Sequence, residues 1–421
     1  MHKMFTLKNG LTVMTIDMPH LDSLTTLVAI GAGSRYEQKR TNGISHFLEH
    51  MFFKGSVKYP TAEQIATLVD GIGAVNNAAT DKEITYYWIK SSAKNVKLAS
   101  DLLSSMIKES LLAEEEIERE KGVIVEELRM YRDNPTRYVW ELYERLQFGN
   151  QPLGWDIGGD EKTVTNISRQ DLISYMDSLY SPKNIALIYV GKLPEDIRKI
   201  AQEYFADLPE RSEYSPKAYQ RKKQIEPKAR AFYKATDQAN LVLGMEGFDR
   251  YDDKRYPAKV LASILGEGMS SRLFIQVRER RGLAYHISAH HSSYKDIGTF
   301  TVYAGLKLEK VYEGLEVILA ELQILTSEKV TDDELKKAKE MIRGRIALQS
   351  ESTNFLAEYF GTNFVLDRKV ETFDEILKKV DKTTKEDIQN LAQELFVKNK
   401  YNLQVIGPFK NANKFEIILN K

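Results

Sequence analysis

The sequence predicts an α+β protein of two similar domains, each a mostly antiparallel sheet packed with helices. Three observations carry that reading. At 421 residues the chain is longer than one ordinary hydrophobic core supports. A helix-start signal, Ser168-Arg-Gln-Asp171, leads through an apolar helix to the strand Asn184-Ile-Ala-Leu-Ile-Tyr-Val-Gly191; the same order returns as Thr384-Lys-Glu-Asp387 and Asn402-Leu-Gln-Val-Ile-Gly407. Ser168, Asp171 and Gly191 map onto Thr384, Asp387 and Gly407 with one constant offset of 216 residues, which means two related domains rather than a solenoid.

Further elements follow the same repeat. The acidic helix after Leu112 corresponds to Val330-Thr-Asp-Asp-Glu-Leu-Lys-Lys-Ala-Lys339. Each half runs strands, helices, a strand pair, long helices and a closing strand. The first domain is expected over 1–208 and carries an H-x-x-E-H string; the second is expected over 229–421 and lacks it. Between them, 209–228 opens with Pro209-Glu-Arg-Ser-Glu-Tyr-Ser-Pro216, polar and charged with a proline at each end, which reads as an exposed linker.

Composition excludes several function classes. Hydrophobic residues at 42% and charged residues at 29% describe a soluble globular protein. Sixty Lys and Arg balance sixty Asp and Glu, so no electrostatic attraction to nucleic acid or an acidic membrane is expected. The absence of cysteine excludes disulfides and thiolate metal sites, leaving seven histidines and the carboxylates as metal ligands. The start lacks the apolar core of a secretory signal and no apolar run is long enough to span a bilayer, so a cytoplasmic location is expected.

The chemistry concentrates in Gly43-Ile-Ser-His-Phe-Leu-Glu-His-Met-Phe-Phe-Lys-Gly55. At about 100° per residue, His46, Glu49 and His50 share one helix face. Two imidazoles one turn apart can take a single zinc ion, and the carboxylate beside them can accept a proton from water. Phe47, Leu48, Met51, Phe52 and Phe53 are apolar nearly all round, so the helix is expected to be buried, and buried imidazoles and carboxylates need a partner. Catalytic zinc commonly takes two His and one carboxylate. On the acidic helix Glu120 and Glu127 lie seven residues apart, about 20° apart on one face, so that one can bind the metal and the other accept the free N–H of a ligating His. Glu126 lies about 100° off that face, and Glu114, Glu115 and Glu118 read as a solvated surface. His286 and His290, in a strand-like run, are too far apart for one metal, and Gly266 and Gly268 lack the context of a dinucleotide fingerprint.

H-x-x-E-H followed 77 residues later by Glu127, within V-I-V-E-E-L-R-M, resembles the pitrilysin/insulinase clan of inverted zinc peptidases. The likeness is to the short-chain branch that includes mitochondrial processing peptidase and bacterial relatives, and it covers essentially the whole chain. It implies that His46, His50 and Glu127 are the ligands of one zinc per chain, that Glu49 is the general base, and that Glu120 is the carboxylate behind a ligand. Gly73-Ala-Val-Asn-Asn-Ala-Ala-Thr80 resembles the family's N-A-x-T strand, which implies that Asn77 and Ala78 pair with substrate backbone. Val277-Arg-Glu-Arg-Arg-Gly-Leu-Ala-Tyr285 resembles its second-half signature, which makes Arg278 and Tyr285 contacts to the reacting peptide. The implied function is a zinc-dependent endopeptidase cutting unfolded peptides or presequence-like segments. Each chain would form a half-shell, and two would close as a clamshell homodimer, or as a heterodimer with a related chain. A non-catalytic scaffold or partner subunit of the same fold is the alternative reading. A closed structural zinc site would need four protein ligands, and only three are legible.

Overall fold

The two closing strands found by the repeat, Ile185–Gly191 and Asn402–Gly407, become central strands of two sheets, buried along their whole length. Their near-continuous apolar runs suit strands covered on both faces. A computed structural model describes residues 2–211, 216 and 218–421. The helix starts before these strands are capped alike: Ser168 and Asp171 form a reciprocal capping box, and Thr384 and Asp387 form another.

The first sheet contains β1 (Lys3–Thr6), β2 (Thr12–Asp17), β3 (Ser23–Ile30), β4 (Val75–Thr80), β5 (Thr85–Ser92) and β6 (Ile185–Gly191), in the order β1-β2-β6-β3-β5-β4. Only β2 and β6 run parallel; the other neighbours are antiparallel. The second sheet contains β7 (Lys228–Tyr233), β8 (Gln238–Gly247), β9 (Ala284–Ser293), β10 (Gly298–Lys307) and β11 (Asn402–Gly407), in the order β7-β11-β8-β10-β9. There only β7 and β11 run parallel. Strand for strand, β2, β6, β3, β5 and β4 match β7, β11, β8, β10 and β9; β1 is an addition to the first sheet. The expected α+β architecture of two similar domains is the one observed.

The compact units differ from the division expected along the chain. One comprises Met1–Arg129, Trp155–Lys217 and Leu348–Glu371; the other comprises Met130–Gly154, Ala218–Ala347 and Thr372–Lys421. The halves have exchanged a helix. In the first unit, Thr353–Asp367 lies on the face of β3 and β6. Its Gly361 approaches so closely that a Cβ there would meet Ile188 Cδ1 at 2.9 Å and Ala29 Cβ at 3.0 Å. In the second unit, Pro135–Phe148 lies on β8 and β11, where Val139 and Tyr143 pack with Val242, Tyr303 and Ile406. The opposite face of the first sheet buries Leu24, Val28, Leu187 and Tyr189 against Phe47, Leu48, Leu103 and Leu172. Part of the expected linker, 212–215 and 217, lies outside the described residues. Among the described residues no helix is long and apolar enough to cross a membrane.

Candidate metal centre

The metal motif forms the helix Ile44–Phe52, with Phe47, Leu48, Met51 and Phe52 buried and His46, Glu49 and His50 on the half-buried side. Gly43 enters it in the left-handed region (φ 98°), a conformation that favours glycine, and supplies no side-chain cap. Glu37 takes over that task. Its carboxylate accepts from Gly43 N–H (2.7 Å), Ser45 N–H (2.9 Å), Ser45 Oγ (2.7 Å) and Asn42 Nδ2 (2.8 Å). An acceptor here satisfies donors that the first helical turn leaves open, and negative charge suits that end of the helix dipole. Burial pushes the Glu37 carboxyl up to about 7, against the downward pull of those hydrogen bonds. Ser45 Oγ also stands 2.6 Å from the Tyr175 hydroxyl, which donates to Gly33 O.

The acidic stretch forms the helix Glu114–Asp133 and brings Glu120 and Glu127 to the motif. His46 Nε2 and His50 Nε2 are 3.3 Å apart; Glu127 Oε2 lies 3.3 Å from His50 Nε2 and 3.6 Å from His46 Nε2. Zinc bonded at about 2.0–2.2 Å with tetrahedral angles spaces its ligands about 3.4 Å apart, so these three atoms fit one face of a zinc tetrahedron. Among the described residues His46, His50 and Glu127 are the group that can hold a metal ion. Three donors leave a fourth position open, the pattern of a catalytic rather than a structural site.

Behind the triad, His50 Nδ1 stands 2.9 Å from Glu120 Oε1, and Glu120 Oε2 stands 2.6 Å from Lys54 Nζ. Donation from Nδ1 leaves the Nε2 lone pair for a metal. Glu120 is only 2% exposed. Burial raises its carboxyl, but hydrogen bonds from His50 and Lys54 outweigh that and hold it below the ordinary value. Burial likewise disfavours charge on His50, yet Glu120 and Glu127 outweigh it and raise His50 to about 9; the same negative field would favour a divalent cation.

Glu49 stands outside the ligand group. Its carboxylate accepts a hydrogen bond from the Thr80 hydroxyl on β4, and burial raises it above the ordinary carboxylate value against that bond. Glu126 points away and pairs with Arg129 at 2.7 Å on the surface. Glu115 and Glu118 also pair with their own helix, through Arg119 and Lys121.

The remaining expected residues fall into two places. Asn77 and Ala78 lie on the edge strand β4, opposite Trp88 and Tyr87 of β5, and Ala78 N–H donates to Asn77 Oδ1 at 2.9 Å. Arg278 and Tyr285 belong to the second unit. Arg278 sits in a π-helical turn, Phe274–Glu279, with its guanidinium 4.6 Å from the Phe274 ring centroid and 5.3 Å from that of Tyr285. Tyr285 is 75% exposed. His291, also on β9, accepts from Phe248 N–H at 3.1 Å, a structural use of the ring.

Sequence reasoning missed Glu37, Lys54 and Thr80. Lys54 and Thr80 stand inside the segments already singled out, so a signal existed. Glu37 precedes its helix by six residues, with no local pattern to mark it.

Residues 12–161 match the family model described as insulinase (peptidase family M16), and 166–342 match the model described as the peptidase M16 inactive domain. The chain is 35% identical to an uncharacterized zinc protease, YmxG, of Bacillus subtilis over 419 residues, covering 98% of this chain and 99% of that one. It is 36% identical to an uncharacterized zinc protease of Rickettsia felis, covering 93% and 94%. Its fold is similar to that of a protease from Helicobacter pylori, with TM-score 0.89, 23% identity, and coverage of 97% of this chain and 99% of that one.

Proposed function

The chain belongs to the insulinase family of peptidases, peptidase family M16, and from that premise we propose that it is a zinc-dependent endopeptidase acting on unfolded peptides. The observation that carries this reading is the triangle of His46 Nε2, His50 Nε2 and Glu127 Oε2, with Glu49 beside it and not part of it. The similarity to zinc proteases from Bacillus subtilis and Rickettsia felis supports the choice of metal.

His46, His50 and Glu127 would hold the ion, and bound zinc supplies Lewis acidity toward water and toward the scissile carbonyl. The chain's own residues do the rest. Glu120 holds His50 in the tautomer whose Nε2 is free, and Lys54 balances the Glu120 charge. Glu49, made more basic by its buried setting, takes a proton from the attacking water at its carboxylate and returns it to the leaving amine. The open edge of β4 at Asn77 and Ala78 would receive an extended peptide through main-chain hydrogen bonds, which tolerates varied side chains.

Arg278 and Tyr285 are the groups we assign to steadying the oxyanion and the chain near it. In this reading they act from a second copy, giving a two-fold dimer with two composite sites. Mass-spectrometric mapping of cuts in a mixed peptide library, with and without chelator, tests the proposal. Chelator-sensitive internal cuts are expected; an uncut library in the presence of zinc would contradict it.

A further inference from the structure

The hydrogen bond from Thr80 to Glu49 takes no part in the hydrolysis steps proposed above. Resting on the peptidase reading above, we propose that Thr80 is the positioning residue of the base, so that the strand receiving substrate also sets the Glu49 carboxylate. Thr80 ends β4 and pairs with Thr85 of β5. Side chains two residues apart on a strand share a face. Ala78 packs against the core that contains Phe47, Leu48 and Met51, so Thr80 is turned toward the motif helix as well.

A glutamate carboxyl turns about a broad, weakly preferred terminal torsion, so its orientation needs an outside partner. The Thr80 hydroxyl is the one hydrogen-bond donor to Glu49 among the described residues. Threonine is stiff about χ1, which suits a donor that must hold one direction. It occupies Glu49 Oε2, and the other oxygen remains for water. Asn77 and Ala78, assigned to the incoming peptide, lie three and two residues upstream on the same strand. A peptide that pairs with and orders β4 therefore also orders the donor that aims the base.

Two measurements decide this. The first is steady-state kinetics of zinc-loaded Thr80→Val and Thr80→Ser on a quenched peptide that the unaltered protein cuts. Losing a hydrogen bond to a charged group corresponds to about ten- to a hundred-fold in rate, so Thr80→Val lowers kcat by that factor with KM within about twofold. Zinc content stays unchanged, and Thr80→Ser restores most of the loss. An unchanged kcat in Thr80→Val, no recovery in Thr80→Ser, or a loss that tracks zinc content overturns the proposal.

The second needs no activity. Thermal unfolding with zinc is measured for Thr80→Val, Glu49→Ala and the double variant. The Tm shift from Thr80→Val vanishes in the Glu49→Ala background if the two side chains are coupled; equal shifts in both backgrounds overturn the coupling. If the unaltered protein cuts no peptide, the peptidase reading fails by itself, and this cycle still decides the role of Thr80.

Discussion

His50 Nδ1 and Glu120 Oε1 stand 2.9 Å apart, and Glu120 is held from its other side by Lys54 at 2.6 Å. That pairing fixes which nitrogen of His50 can face a metal. Glu120→Gln should therefore weaken zinc by about 10–100-fold, the range for partners behind a ligand. Glu127→Gln should weaken it further, and Glu126→Gln, a surface partner of Arg129, should leave it unchanged. Chelator-competition titration of the three variants checks the order. Equal losses at Glu126 and Glu127 would contradict the helix phase.

Glu37 gives the fold a pH dependence. Its carboxyl is raised from 4.5 to about 7 in the folded chain, so between those values the folded state holds a proton that the unfolded chain has released. This contribution to stability falls as pH rises through that window. Glu37→Gln should flatten the slope and, by setting an amide against donors, lower stability by about 1–3 kcal/mol where hydrogen bonds at the helix start are lost. Thermal melts across the window measure both effects.

The helix exchange forbids a simple cut at the linker. Residues 1–208 alone would lack Thr353–Asp367, whose Leu356, Phe360 and Phe364 are buried. Removing even one such aromatic costs about 3–5 kcal/mol, against a total stability of about 5–15 kcal/mol. The fragment should show no cooperative melt by circular dichroism, and a peptide of residues 348–371 should restore one. A cooperative melt of the bare fragment would contradict the packing.

Much of the site was legible because it is local and periodic. H-x-x-E-H needs only one helical turn, and the Glu120–Glu127 spacing needs only two, so a straight helix sufficed to bring both carboxylates to one face and send Glu126 to solvent. The repeat was legible for the same reason: Ser168–Asp171 and Thr384–Asp387 are capping boxes closed within four residues. What escaped depends on contacts that no helical or strand spacing encodes. Thr80 reaches Glu49 across a strand, and Glu37 meets its helix through a turn that no spacing announces. The apolar residues of Thr353–Asp367 marked a buried helix without saying which sheet it covers.

The shared site we assign to a dimer makes a mixing experiment informative. Glu49→Gln and Tyr285→Phe protein should each be nearly inactive alone. After subunit exchange, a mixed dimer carries one site with both defects and one with neither, so activity should return. No recovery despite demonstrated exchange would contradict a site completed by the partner copy.

In the proposed mechanism Glu49 is the base and not a ligand. Zinc content and peptide turnover of Glu49→Gln, measured on one preparation beside the unaltered protein, test this most directly. One zinc per chain with hydrolysis reduced by at least about 100-fold is the expected result. Substantial turnover with zinc retained, or loss of the metal itself, would contradict it.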